Sequence, residues 1–191
     1  MARPKSEDKS NAILAAAIDV FAERGLSAPT SAITSAAGVA EGTLFTYFKT
    51  KEDLVNAVYR AIKLELADTM MSGFPRRASL HDRLWHVWKQ YVDWGVANPN
   101  QHAVLKQVLV WHGLTEESKT AGSAPFAEIE MMANDAVAQR VLQDLPRPLI
   151  GAALGALADT TMQFIRQEPK NAEQYRTAGF EILWTGISRR R

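Results

Sequence analysis

The sequence predicts an all-α protein on three observations. Apolar residues recur at i, i+3 and i+4 along most of the chain, alternating runs of Val, Ile, Thr and aromatics are missing, and Gly or Pro punctuates the ends of the periodic stretches. Taken together, caps and breakers divide the chain into about nine helices. Ile13, Leu14, Ala17, Val20 and Phe21 form one apolar stripe, which with Glu7 and Asp8 near its start and Gly25 as its stop predicts a helix over about residues 7–24. Thr30 or Ser31 can cap a short second helix through Ala37, where Gly38 supplies a left-handed turn, and a third short helix follows from about Gly42 to Phe48.

Further along, Thr50 with Asp53 has the form of a capping box, and Leu54, Val58, Ile62 and Leu66 repeat at four-residue steps to give a long fourth helix ending near Ser72-Gly73. Pro75-Arg76-Arg77 is a link, Ser79 with Asp82 opens a fifth helix to about Ala97, and Asn98-Pro99-Asn100 breaks it. A sixth helix over about 100–112 stops at Gly113. A seventh over about 125–143 follows a loop at Ala121-Gly122-Ser123-Ala124. Pro148 starts an eighth that ends before Pro169, and the last runs from Asn171 or Ala172 to about Ser188.

Composition excludes several classes of function. Apolar residues at 47% and charged residues at 23% suit a globular chain with a real core. No apolar run approaches a bilayer span and the first ten residues are polar, so the expected location is cytoplasmic, with no membrane partner. Without Cys there is no thiol catalysis or Cys-ligated zinc, and the scattered His residues, such as His81 and His86, match no metal spacing. Neither a metal nor another cofactor is expected. The net charge of +1 offers no bulk attraction for nucleic acid, so any such contact must come from local geometry. The one basic cluster, Arg189-Arg190-Arg191, reads as a solvated terminus.

Local geometry is informative from Ile33 to Leu54. Ala36 and Ala37 allow two helices to approach, Gly38 makes the turn, and Val39, Leu44 and Phe48 can seal the corner against the first helix. Residues 44 and 48 share a face one turn apart, which leaves Thr43, Thr46 and Tyr47 turned elsewhere as hydrogen-bonding groups able to reach base edges or phosphates. This is the form of a helix-turn-helix.

With Phe21-Ala22-Glu23-x-Gly25, then Ile33-x-x-x-Ala37-Gly38-Val39, then Gly42-Thr43-Leu44-Phe45-x-Tyr47-Phe48-x-x-Lys51-Glu52-x-Leu54, the chain resembles the TetR (tetracycline-repressor-like) family of bacterial transcriptional regulators. The resemblance implies a ligand-responsive regulator, most simply a repressor, that is no enzyme and binds a palindromic double-stranded DNA operator as a homodimer. It implies a DNA-binding domain over residues 1–50 and an effector-binding and dimerisation domain over 51–191. It further implies DNA contacts by Thr30 and Ser31, by Glu41, Gly42, Thr43, Phe45, Thr46 and Tyr47, and by Lys51. Of these, Tyr47, Thr30 and Lys51 look like phosphate anchors, and Thr43, Phe45 and Thr46 look like base readers. Three positions depart from the family's pattern: Thr34 stands where Ala is usual, Phe45 where Tyr is common, and Glu41 brings a negative charge to a DNA-facing turn.

The later helices are rich in aromatics. Trp88, Tyr91 and Trp111, with Trp85 and His112 nearby, can line an apolar cavity for a small-molecule effector. Gly151, Ala152, Gly155, Ala156 and Asp159 space small residues along one helix, a pattern suited to a dimer face between paired helices. Two alternatives stay open at this point: a DNA-binding regulator controlled by a protein partner, and an all-α enzyme using His86, His112, Asp93 or Asp159.

Overall fold

The computed structural model describes residues 5–189, so the basic tail beyond Arg189 lies outside the described residues, as do the first four. Ten α-helices follow one another: α1 (Lys5–Arg24), α2 (Thr30–Ala37), α3 (Glu41–Tyr47), α4 (Lys51–Met71), α5 (Leu80–Ala97), α6 (Pro99–Leu109), α7 (Glu116–Ser123), α8 (Ala127–Ala138), α9 (Arg147–Gln167) and α10 (Ala172–Ile187). Among the described residues there is no strand, and one isolated antiparallel bridge joins Leu142 to Ser188. The all-α class holds.

The unforeseen helix is α7. Residues 121–124 were expected to form a loop, yet Thr115 caps the helix by accepting a hydrogen bond from the Ser118 amide, and a 3-10 turn at Ala124–Phe126 leads directly into α8. Its helix is held by a buried polar network that no local pattern announces. Asn56 on α4 donates to the carbonyl of Gly113 at 3.0 Å and accepts from the Thr115 amide at 3.0 Å, while Arg60 donates to Ser118 Oγ at 2.6 Å. Gly122 lets α7 lie on the Tyr59 ring, which a Cβ there would meet at 2.6 Å.

By packing the chain forms two compact units. One holds the described residues up to Glu65 together with Asn98–Ala124, and the other holds Leu66–Ala97 with the described residues from Pro125 on. This packing division differs from the 50/51 boundary drawn from the sequence because α6 and α7 return to the N-terminal helices. Gln107 donates to the Phe21 carbonyl at 3.3 Å, and Asn100 donates to Asp19 at 2.9 Å. The first unit buries Ile13, Ala17, Phe21, Ile33, Leu44, Leu54 and Val58, and the apolar stripe of α1 packs against α2, α3 and α6.

In the second unit α5, α9 and α10 pack on one another. Trp88, Val92, Ala158, Met162, Ile165 and Phe180 form its buried cluster, with Trp85, Tyr91, Tyr175 and Trp184 against it. Trp88 fits because Gly179 leaves room: a Cβ there would lie 2.7 Å from the indole ring. The Trp88 Nε1–H donates to the Arg176 carbonyl at 2.9 Å, and the Arg176 guanidinium reaches Asp93 at 2.5 Å. No helix among the described residues is long and apolar enough to cross a membrane.

Candidate nucleic-acid interface

The turn between α2 and α3 is built by its glycine. Gly38 caps α2 in the left-handed conformation at φ 65° and ψ 33°, and its amide bonds the Ser35 carbonyl while that of Val39 bonds Thr34. A side chain in place of this hydrogen would be strained there. Thr34 is buried, and its hydroxyl donates to the Ser31 carbonyl at 3.1 Å, so this departure from the family pattern leaves no polar atom unmet.

α3 is anchored on its inner side by Leu44 and by Phe48 just beyond its end, both buried. The rest of its surface is available. Glu41, Gly42, Phe45 and Thr46 are exposed, whereas Thr43 and Tyr47 are half-buried. The Thr46 hydroxyl donates back to the Gly42 carbonyl at 2.9 Å, leaving its lone pairs outward as acceptors. Ser31 is exposed and Thr30 half-buried at the start of α2.

Two details correct the sequence reading of this region. Pro29, not Thr30 or Ser31, stands at the N-cap of α2, and no side chain caps that helix. Instead the Thr30 hydroxyl donates to Glu41 Oε1 at 2.9 Å, tying the start of α2 to the start of α3. The acidic residue that fitted poorly beside DNA therefore has a partner inside the chain. The α4 capping box is present: Thr50 N donates to Asp53 Oδ2 at 3.1 Å and Asp53 N to Thr50 Oγ1 at 3.0 Å. Lys51 begins that helix half-buried, and Glu52 and Asp53 complete its first turn.

The residues expected to line an effector cavity are not brought together in one packing unit. Trp85, Trp88 and Tyr91 belong to the unit of α5, α9 and α10, whereas Trp111 and His112 belong to the other. Trp88 is a core residue at 2% exposure, and Trp111 folds its ring onto Gly113 in the turn after α6. His112 is exposed. Burial, and then the charge of Asp159, push the Tyr91 phenol up to about 12.

The small residues of α9 divide between two sides. Gly151, Ala152 and Ala156 are exposed, but Gly155 is half-buried and Asp159 turns towards the Tyr91 side, where its charge is felt. An apolar groove of about 560 Å³ runs along the exposed side, lined by Leu149, Ala153, Ala156, Leu157, Ile182 and Leu183 among others. Leu149 and Ile182 are 61% and 63% exposed.

Two of the groups nominated for acid-base chemistry, His86 and Asp93, are engaged structurally. His86 bonds the Met70 carbonyl at 3.1 Å with its ring edge-on to Phe74, and Asp93 takes Lys89 and Arg176. Among the described residues no group of three or more His, Cys, Asp or Glu is placed to hold a metal ion.

A short helix with an exposed outer side, joined to α2 through the left-handed turn at Gly38 and anchored by buried Leu44, makes this a helix-turn-helix protein. Residues 13–58 match the model described as bacterial regulatory proteins, tetR family, so the helix-turn-helix segment is similar to that family. A structure assigned to tetR family transcription regulators, from Shewanella sp. PV-4, is 25% identical, with 95% of this chain and 99% of that one covered at a TM-score of 0.84. The transcriptional regulator FadR of Bacillus subtilis in complex with stearoyl-CoA is 20% identical, with coverage of 93% and 98% and a TM-score of 0.69, a likeness of fold. Among curated proteins, the fatty acid metabolism regulator protein of Bacillus subtilis (strain 168) is 33% identical over 73 residues, a match spanning only 38% of this chain and 38% of that relative.

Proposed function

We propose that this protein is a ligand-responsive transcriptional repressor that binds a palindromic operator as a homodimer in the cytoplasm and releases it when a small apolar or aromatic effector binds. The observation that carries the reading is the outer surface of α3, where Thr43, Phe45, Thr46 and Tyr47 stand clear of the buried Leu44 and Phe48. A helix of this size fits the major groove, and short polar groups on it can meet base edges. Roles divide by chemistry. Lys51, with the free amides of the α4 start, suits a phosphate, as does the Tyr47 hydroxyl. Thr43, Thr46 and Phe45 suit base edges and a thymine methyl. Residues up to about 50 would then read DNA, while those from 51 on would carry the effector and the partner subunit. The apolar groove on α9 and α10 supports pairing, because exposed Leu149 and Ile182 call for cover.

Effector class rests on weaker ground and is kept coarse. The aromatic lining of α5, with Trp85 and Tyr91 beside the core, suits an apolar ligand. That the Bacillus subtilis neighbour of like fold is in complex with stearoyl-CoA, whose acyl chain is apolar, supports this reading. The test is selection of bound fragments from genomic DNA by the purified protein, followed by binding measurements with two variants. Lys51→Ala should weaken every duplex alike and lower the salt slope by about one. Thr46→Ala should cost roughly 1 to 3 kcal/mol on the selected site and less on random DNA. Selection of no preferred sequence, or equal losses for Thr46→Ala on both DNAs, would overturn the reading.

A further inference from the structure

Gly42 and Thr46 are neighbours on the outer side of α3, one helical turn apart, and both are exposed. Gly42 has no positive φ to justify a glycine, and a Cβ built on it would meet nothing within 4 Å. Neither a turn nor a packing neighbour asks for glycine there, although glycine weakens a helix relative to alanine. What the missing side chain leaves is open space on the solvent side of α3, beside Thr46.

Thr46 spends its hydroxyl proton inside the helix. Its Oγ1 lies 2.9 Å from the Gly42 carbonyl oxygen, and because a carbonyl carries no hydrogen, the proton of that bond is the hydroxyl's own. A hydroxyl has a single proton, so Thr46 faces outward as an acceptor alone. A base that offers an N–H adds a bond to it. A base that offers only acceptors must first draw the proton away from Gly42, which exchanges one bond for another and gains nothing. In the major groove the N–H donors are the exocyclic amino groups of adenine and cytosine, whereas guanine presents its ring nitrogen and carbonyl, and thymine a carbonyl and a methyl.

We propose that Thr46 is a specificity-determining residue that selects adenine or cytosine on the strand it faces, with the amino group of the base donating to Thr46 Oγ1. Gly42 supplies the clearance that lets the base edge come within hydrogen-bond reach. The inference rests on the DNA-binding reading of α3 and adds to it the chemical class of the base that is read. Thr46 separates adenine and cytosine from guanine and thymine and leaves the choice within each pair to its neighbours.

The test uses the full chain and the duplex it selects from genomic DNA. Adenines are replaced one at a time by purine, and cytosines by 2-pyrimidinone, which removes the amino group alone. Wild type should lose about tenfold in affinity at one position of each half-site. Thr46→Val keeps the shape without the acceptor, so it should bind the unmodified duplex about tenfold more weakly and lose nothing further at that position. Thr46→Ser, which retains the oxygen, should keep the dependence on the amino group. Gly42→Ala should melt no lower than wild type, since its methyl meets nothing in the chain, yet bind the selected duplex at least about tenfold more weakly. A protein that selects no preferred duplex overturns the DNA-binding reading and this inference with it. Where a duplex is selected, the inference alone is overturned if no amino deletion loses its effect in Thr46→Val, or if the base that depends on Thr46 presents acceptors only. It is overturned equally by a Gly42→Ala protein that binds as tightly as wild type.

Discussion

The hydrogen bond from Thr30 to Glu41 assigns both residues a task the linear sequence conceals. A hydroxyl has one proton to give, and that of Thr30 is given to Glu41 Oε1. For Thr30 to anchor a phosphate as donor, this tie must first break. The Glu41 carboxylate stands exposed at the start of α3, beside the candidate duplex surface. Glu41→Gln removes that charge and retains an acceptor for Thr30, so affinity for any duplex should rise by up to about fivefold at low salt and much less at high salt. Mobility-shift titrations at two ionic strengths give the answer. A variant that binds all duplexes more weakly would mean that the charged tie is needed to hold α2 against α3.

Elements in this fold are positioned as much by what glycine omits as by what large residues fill. Trp88 occupies the space over Gly179, Tyr59 the space over Gly122, and Trp111 that over Gly113. On α9 the same rule separates two groups of small residues. A Cβ at Gly155 meets nothing within 4 Å, but the exposed side of the helix is centred nearer Ala156, which lines the groove with Ile182 and Leu183. If that groove is the dimer face, a guanidinium placed in it would be buried without a partner on assembly. Ala156→Arg should therefore give a monomer by light scattering, with an unchanged helical spectrum because position 156 is exposed within one chain. Specific operator binding should fall with it, since two recognition helices must reach half-sites roughly 34 to 36 Å apart or at a multiple of the repeat. A variant that stays dimeric would remove this face from the interface.

At the scale of the whole molecule, stability is expected to decline in alkali through Tyr91. Its phenol is pushed up to about 12, first by burial and then by Asp159, from an ordinary value of 10.0. A group whose proton is held more tightly in the folded state contributes stability in full below its unfolded value, and that contribution is lost as pH rises through the folded one. The window is thus about pH 10 to 12. Thermal melts across it should fall more steeply for wild type than for Tyr91→Phe, which has no proton to lose. Parallel curves would exclude Tyr91 as a source of the loss. Tyr59 and Tyr175 are also raised, Tyr59 chiefly by burial and Tyr175 chiefly by its hydrogen bond to Glu168, so the variant should flatten the decline without abolishing it.

Sequence by itself determined the helical class, the extents of α1 to α5 within a few residues, the left-handed turn at Gly38 and the capping box at Thr50. All of these depend on neighbours within a turn or two, where spacing and residue type act directly. The tertiary structure decided what depends on distant partners. Asn56 gives α7 its footing through residues 57 and 59 positions away, and Arg176 engages Asp93 across 83. The turning of Asp159 towards Tyr91 belongs to the same class. Local periodicity records which way a side chain faces, and only packing records what it finds there.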